Sequence, residues 1–97
     1  MSPNTKHASS KAYQIAVADL SRILYAHDPD RMGITVYAPP DEYDDVARLM
    51  LKELRDAQSE VEVHEWIRRT YQQSHVELSR EARAVIRHYQ QAILELR

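Results

Sequence analysis

Apolar side chains recur at intervals of three and four residues in four separate stretches of this chain. This spacing places them along one face of an α-helix, so each stretch predicts an amphipathic helix. The first helix can be capped by Ser9 or Ser10 and runs to about His27. Asp28-Pro29 ends it, because a residue before proline is pushed out of the helical conformation. Its apolar positions are Tyr13, Ala16, Val17, Leu20, Ile23 and Leu24.

The second helix follows Pro39-Pro40, with Asp41 as its candidate N-cap and further carboxylates in the first turn, where the helix dipole favours negative charge. It ends near Asp56. Its apolar positions are Tyr43, Val46, Ala47, Met50 and Leu54, with Leu49 and Leu51 widening the stripe. The third helix begins at Ser59, because Ser59 and Glu62 have the spacing of a capping box. We expect it to bury Val63, Trp66, Ile67 and Tyr71, with Trp66 as a core anchor.

The fourth helix begins at Ser74 or Ser79, and the cleaner period after Ser79 favours that residue. Its apolar positions are Ala82, Val85, Ile86, Tyr89, Ile93 and Leu96. Helices of this kind are marginal alone in water and must bury their stripes against one another. The prediction is an all-α fold, a compact bundle of four amphipathic helices. Residues 1–8 form a flexible tail, residues 9–97 a single domain, and one long ordered acidic loop joins helices one and two. The short links predict that helices two and three, and three and four, are antiparallel neighbours.

Composition agrees with a folded domain and narrows its surroundings. Of the 97 residues, 43% are hydrophobic and 29% charged, which is ordinary for a globular protein. Cysteine is absent, so neither disulfides nor thiolate metal sites can hold the fold together. No stretch approaches the roughly 20 apolar residues that a membrane span needs. We therefore expect a cytoplasmic protein with no membrane partner.

Negative charge is concentrated in one segment. The chain has a net charge of −2, yet residues 28–45 carry six acidic residues against Arg31, a local sum of −5. Such a patch disfavours nucleic acid and favours a basic protein surface or a cation. The predicted partner-binding residues are Asp28, Asp30, Arg31, Tyr37, Asp41, Glu42, Tyr43 and Asp44. The same carboxylates also have a purely structural interpretation, as turn and helix-start residues.

Other chemistries find less support. Asp28-x-Asp30 offers oxygen ligands, but no ligand follows at the fifth position of a calcium loop and Pro39 stands at the twelfth. His64-Glu65 begins like a helical zinc motif, yet position 68 is Arg. We therefore predict no metal, no cofactor and no enzymatic activity. The alternative function is a nucleic-acid-associated regulator whose phosphate contacts are Arg68, Arg69, Arg80, Arg83 and Arg87.

The segment LYAHDPDRMGITVYAPPDEYDD resembles a group of small bacterial α-helical proteins of unassigned function. Their mark is an aromatic-Asp-Pro turn, a glycine and an Asp-Glu-Tyr-Asp element, which here is residues 41–44. The resemblance covers roughly residues 20–70. It implies a helical domain and an association with antibacterial toxins, as in immunity proteins. The leading hypothesis is an immunity protein or antitoxin that engages a basic toxin surface through the acidic loop; its oligomeric state is left open.

Overall fold

The computed structural model describes residues 3–27 and 43–96, with side chains from residue 9 onward. These residues form four α-helices: α1 (Pro3–His27), α2 (Asp44–Leu54), α3 (Glu60–Tyr71) and α4 (Val76–Glu95). The described ranges contain no strand. The all-α four-helix fold predicted from the apolar periodicity is thereby confirmed. The predicted acidic loop between the first two helices lies outside the described residues.

The core is built from the predicted stripes, to which every helix contributes side chains. The largest apolar side chains with almost no exposure are Leu20 and Leu24 on α1, Met50 and Leu51 on α2, Val63 and Ile67 on α3, and Leu78 and Ile86 on α4. Burying each such side chain stabilises the fold by roughly 1.5–3 kcal/mol relative to exposing it. Tyr43, Trp66 and several alanines complete the same cluster.

Helix α1 lies at the centre of the packing. Its backbone approaches α4 and α2 closely, and α3 packs on α4. Near its C-terminal end α1 contacts the first residues of both partners, through Ser21 with Asp44 and His27 with Glu81. Nearer its start, Tyr13 lies beside the end of α2. Helices α2 and α4 therefore both run antiparallel to α1. The closest backbone neighbour of α2 is α1, whereas the short link had suggested α3.

The capping box predicted at the start of α3 is present in a modified form. The Ser59 hydroxyl accepts from the backbone N–H of Glu62 at 3.4 Å, as the motif requires. The Glu62 carboxylate accepts from the backbone N–H of Gln58 at 2.5 Å, one residue before the expected partner. The helix ends at Gln72, whose φ of 57° is a left-handed conformation typical of a helix C-terminus.

Three predicted helix starts were wrong. Helix α1 begins at Pro3, within the segment predicted as a tail, and proline is well suited to a first helical turn. Tyr43 occupies the N-cap position of α2, which had been assigned to Asp41. Helix α4 begins at Val76, and Ser79 is a fully buried residue of its first turn. The Ser79 hydroxyl donates to the His75 carbonyl at 2.6 Å, so it satisfies its own polar atom within the helix.

None of the described helices is long and apolar enough to cross a membrane.

Candidate partner-binding end of the bundle

The start of α2 is fixed to α1 by one buried aromatic ring and one hydrogen bond. Tyr43 is only 1% exposed and packs in the common core with Ala47. The next residue, Asp44, accepts a hydrogen bond from the hydroxyl of Ser21 at 2.5 Å. Ser21 itself is buried, and this bond satisfies its hydroxyl. The first turn of α2 thus has a defined position on α1.

Asp45 is the exposed carboxylate of this turn. Its side chain is 98% exposed, and its only ion pair among the described residues is with Arg48 at 2.9 Å. Asp45 lies two positions from both Tyr43 and Ala47, which places it on the opposite side of the helix from the core stripe. This register was readable from the sequence, yet Asp45 was not among the predicted site residues. It is the carboxylate most available to a partner at the α2 start.

The C-terminal end of α1 is also tied to a neighbouring helix. His27 is its last residue and hydrogen-bonds through Nε2 to the carboxylate of Glu81 on α4. Glu81 remains half exposed. Ser21 and His27 are about 9 Å apart along the axis of α1. Their partners Asp44 and Glu81 therefore lie at the same end of the bundle.

The structure describes two of the eight predicted partner-binding residues. Tyr43 is in the core and presents no surface to a partner, so its contribution is to anchor α2. Asp44 is half-buried and hydrogen-bonded to Ser21. The other six lie outside the described residues: Asp28, Asp30, Arg31, Tyr37, Asp41 and Glu42. They belong to the segment that joins His27 to Tyr43.

Three of the five arginines of the alternative hypothesis either pair with a carboxylate or lie half-buried against a backbone carbonyl. Arg68 pairs with Glu65, and this hydrogen bond holds the pKa of the Glu65 carboxyl below its usual value. Arg80 pairs with Glu77 at 3.5 Å. Arg83 donates to the backbone carbonyl of Ala57 at 3.1 Å and is half-buried.

The remaining two, Arg69 and Arg87, are exposed. Arg69 makes one long bond, from Nε to the Glu65 carbonyl at 3.4 Å. Exposed ion pairs are worth at most about 1 kcal/mol and do not prevent a phosphate contact. The interrupted pattern nevertheless leaves no continuous cationic stripe free of carboxylates on α3 and α4.

The remaining candidate residues have structural partners. His64 Nε2 and the Ser74 hydroxyl share a hydrogen bond of 2.8 Å. Trp66 is a core residue, as predicted, and its indole N–H donates to Glu53 at 2.6 Å. Within residues 3–27 and 43–96, no three histidine or acidic side chains converge closely enough to hold a metal ion.

Comparison of the chain with protein-family models, curated proteins and solved structures finds no match. The described residues form a helical bundle in which the end of α1 and the start of α2 are held at one end by specific contacts.

Proposed function

We propose that this chain is a non-enzymatic protein-binding module, an immunity protein or antitoxin that neutralises a toxin by presenting its acidic segment to a basic surface. The charge distribution supports this proposal. Residues 28–45 sum to −5, while the rest of the chain carries twelve basic against nine acidic residues. A field of this kind speeds encounter with a basic partner and rejects acidic ones.

The observation that carries the proposal is the attachment of the segment at both flanks. His27 is bonded to Glu81, while Tyr43 is buried and Asp44 is bonded to Ser21. A recognition segment whose ends are already placed loses less conformational entropy on binding than a free peptide of the same sequence. The two residues that flank the acidic segment, His27 and Tyr43, thus lie at one end of the bundle.

The contacts would be made by carboxylates. Asp28, Asp30, Asp41 and Glu42 supply most of the charge, and Asp45 adds an exposed carboxylate on the first turn of α2. Where the toxin surface binds a phosphorylated substrate or nucleic acid, carboxylate oxygens would stand in for phosphate oxygens. Bidentate pairs between arginine and carboxylate suit such a surface.

The test uses the protein encoded by the neighbouring gene as the probe. Its affinity for this chain is measured by calorimetry, and growth rescue is scored on co-expression. We expect Asp28→Asn with Asp41→Asn and Asp45→Asn to weaken binding at least tenfold, about 1.4 kcal/mol, and to abolish rescue. These substitutions keep side-chain shape, and Asp44 is left intact because it holds Ser21.

The matched control carries three exposed carboxylates elsewhere, Asp56→Asn with Glu77→Gln and Glu95→Gln, and should bind like the parent. Equal losses in both triple variants would show that general charge, and not this segment, drives binding. Tight binding of the parent chain to DNA, with a steep decrease as salt rises, would favour the arginine-based regulator instead.

A further inference from the structure

Exposed apolar side chains lie toward the end of the bundle opposite His27 and Tyr43. Tyr13 on α1, Leu49 on α2 and Leu94 on α4 are 38%, 46% and 65% exposed. They surround Tyr89, a half-buried residue packed against the core. Scattered exposed apolar residues are normal, but a contiguous patch on one end marks an interaction surface.

Two depressions make this end concave. One, of about 440 Å³, lies between the link from α2 to α3 and α4, and Leu94 and Arg83 line it. The other, of about 460 Å³, lies between α1 and α2, and Tyr13, Leu49 and Lys52 line it. Arg55 and Tyr89 line both, so the two depressions are neighbours. We call this surface the basic apolar end; it comprises Tyr13, Leu49, Lys52, Arg55, Tyr89 and Leu94.

The charges around the basic apolar end are mainly positive. Lys52 on α2 and Arg55 just after it are exposed, and the half-buried Arg83 lines the first depression. Among the described residues, Asp56 is the only carboxylate that lines either depression. An occupant must therefore bring apolar side chains for the depressions and negative charge for their rim.

We propose that the basic apolar end binds an acidic amphipathic helix of a partner protein. Such a helix carries apolar anchors at i, i+3 or i+4 and i+7, which fill a groove between helices, and acidic residues beside them meet the basic rim. A second copy of this surface would be repelled, because both carry positive charge. A bilayer is flat and fits two concave depressions less well than a convex helix does. This proposal is independent of the function of the acidic segment at the other end.

The probe is a fluorescently labelled 18-residue helical peptide with leucine on one face and glutamate beside it. Its twin carries lysine in place of every glutamate. Binding to the full chain is followed by anisotropy at low and high salt. We expect the glutamate peptide to bind at least tenfold more tightly than the lysine twin, with an affinity that decreases as salt rises.

Charge variants test whether the peptide binds at the basic apolar end. Lys52→Glu with Arg55→Glu should weaken binding of the glutamate peptide at least tenfold and favour the lysine twin. The matched control, Arg69→Glu with Arg87→Glu, makes the same charge change elsewhere and should leave the affinity within twofold.

Two further variants test the contribution of apolar packing to binding separately from the contribution of charge. Leu49→Ser should weaken binding at least threefold, whereas Val61→Ser, at a 74% exposed position of α3, should not. All six substituted residues are exposed. The variants should therefore fold, which circular dichroism verifies.

Four outcomes would overturn the proposal: equal affinity for the two peptides, no binding of either, equal losses in the variants and their controls, or binding of phosphatidylserine vesicles in preference to the glutamate peptide. Self-association of the parent chain in sedimentation equilibrium, lost in Leu49→Ser but not in Val61→Ser, would assign the surface to a second copy and overturn it as well.

Discussion

Gln90 closes the C-terminal end of α2 from a different helix. Its side-chain amide donates to the backbone carbonyls of Arg55 and Ala57, each at 2.7 Å. A helix ends with carbonyl groups that have no partner within the helix. Just after α2, the Leu54 carbonyl accepts a local bond from the Ala57 N–H at 2.9 Å. The amide of Gln90 therefore fastens the link between α2 and α3 to α4.

We expect Gln90→Ala to lower the free energy of unfolding by about 1–2 kcal/mol. Each of the two bonds contributes about 0.5–1.5 kcal/mol, and alanine returns a few tenths through its higher helix propensity. Urea unfolding measures the difference, and the melting temperature should decrease by roughly 4–8 °C for each kcal/mol. The control is Gln91→Ala, the same substitution at the adjacent, exposed position, which should stay within about 0.5 kcal/mol of the parent.

A double-mutant cycle of Gln90 with Arg83 tests the same contact. Arg83 Nη1 donates to the same Ala57 carbonyl at 3.1 Å and lies 3.4 Å from Gln90 Oε1. Residues that share a partner are energetically coupled, by about 0.5–1 kcal/mol here, whereas distant residues add independently. The effects of Gln90→Ala and Arg83→Ala should therefore not sum. Exact additivity, or a Gln90→Ala loss no larger than that of Gln91→Ala, would refute this account of the link.

Two further predictions concern the core and one ion pair. Leu20→Ala should lower the free energy of unfolding by about 2–5 kcal/mol in urea, because Leu20 is fully buried, whereas Ile15→Ala, half exposed on the same helix, should cost far less. The pKa of Glu65 should be below its ordinary value by NMR titration and should return toward that value in Arg68→Gln. Because this pKa is lowered in the folded state, the pair stabilises the fold above the ordinary glutamate pKa. That contribution is lost as pH decreases through the lowered value. An unchanged Glu65 titration in Arg68→Gln would contradict the assigned cause.

The number of helices and most of the core could be predicted from the sequence, because the spacing of apolar residues shows which side of each helix is buried. All of the predicted stripe of α2 is buried or packed on the core, while Leu49, which was expected to widen it, remains half exposed. The helix starts were less predictable. Ser79 fits a cap by its residue type, but a serine can equally satisfy its hydroxyl by donating to the carbonyl four residues earlier. Composition alone does not distinguish the two.

The candidate site, like the fold, could be predicted only in part from the sequence. That Asp44 and Asp45 lie in the first turn of a helix followed from the Tyr43, Ala47 and Met50 period and the dipole preference, although the helix begins later than the predicted Asp41 cap. That Asp44 is bonded to Ser21 did not follow, because a contact between residues 23 positions apart depends on how two helices cross. The same limit applies to His27 and Glu81. A sequence pattern shows which face of a helix is buried, whereas tertiary packing decides which exposed side chains meet.

The two ends of the bundle differ in a way that suggests how they could act together. Helix α2 joins them: its first turn carries Asp44 and Asp45, and its last turns carry Lys52 and Arg55. This order follows the helix dipole at both termini, so it stabilises α2 whatever the protein binds. Its consequence for recognition is that one short helix presents negative charge at one end and positive charge beside apolar side chains at the other. Two partners of opposite charge could then bind at once without competing. In a protein this small, a substitution that loosens α2, such as Gln90→Ala, would weaken both surfaces together, whereas charge changes at either end would affect only one.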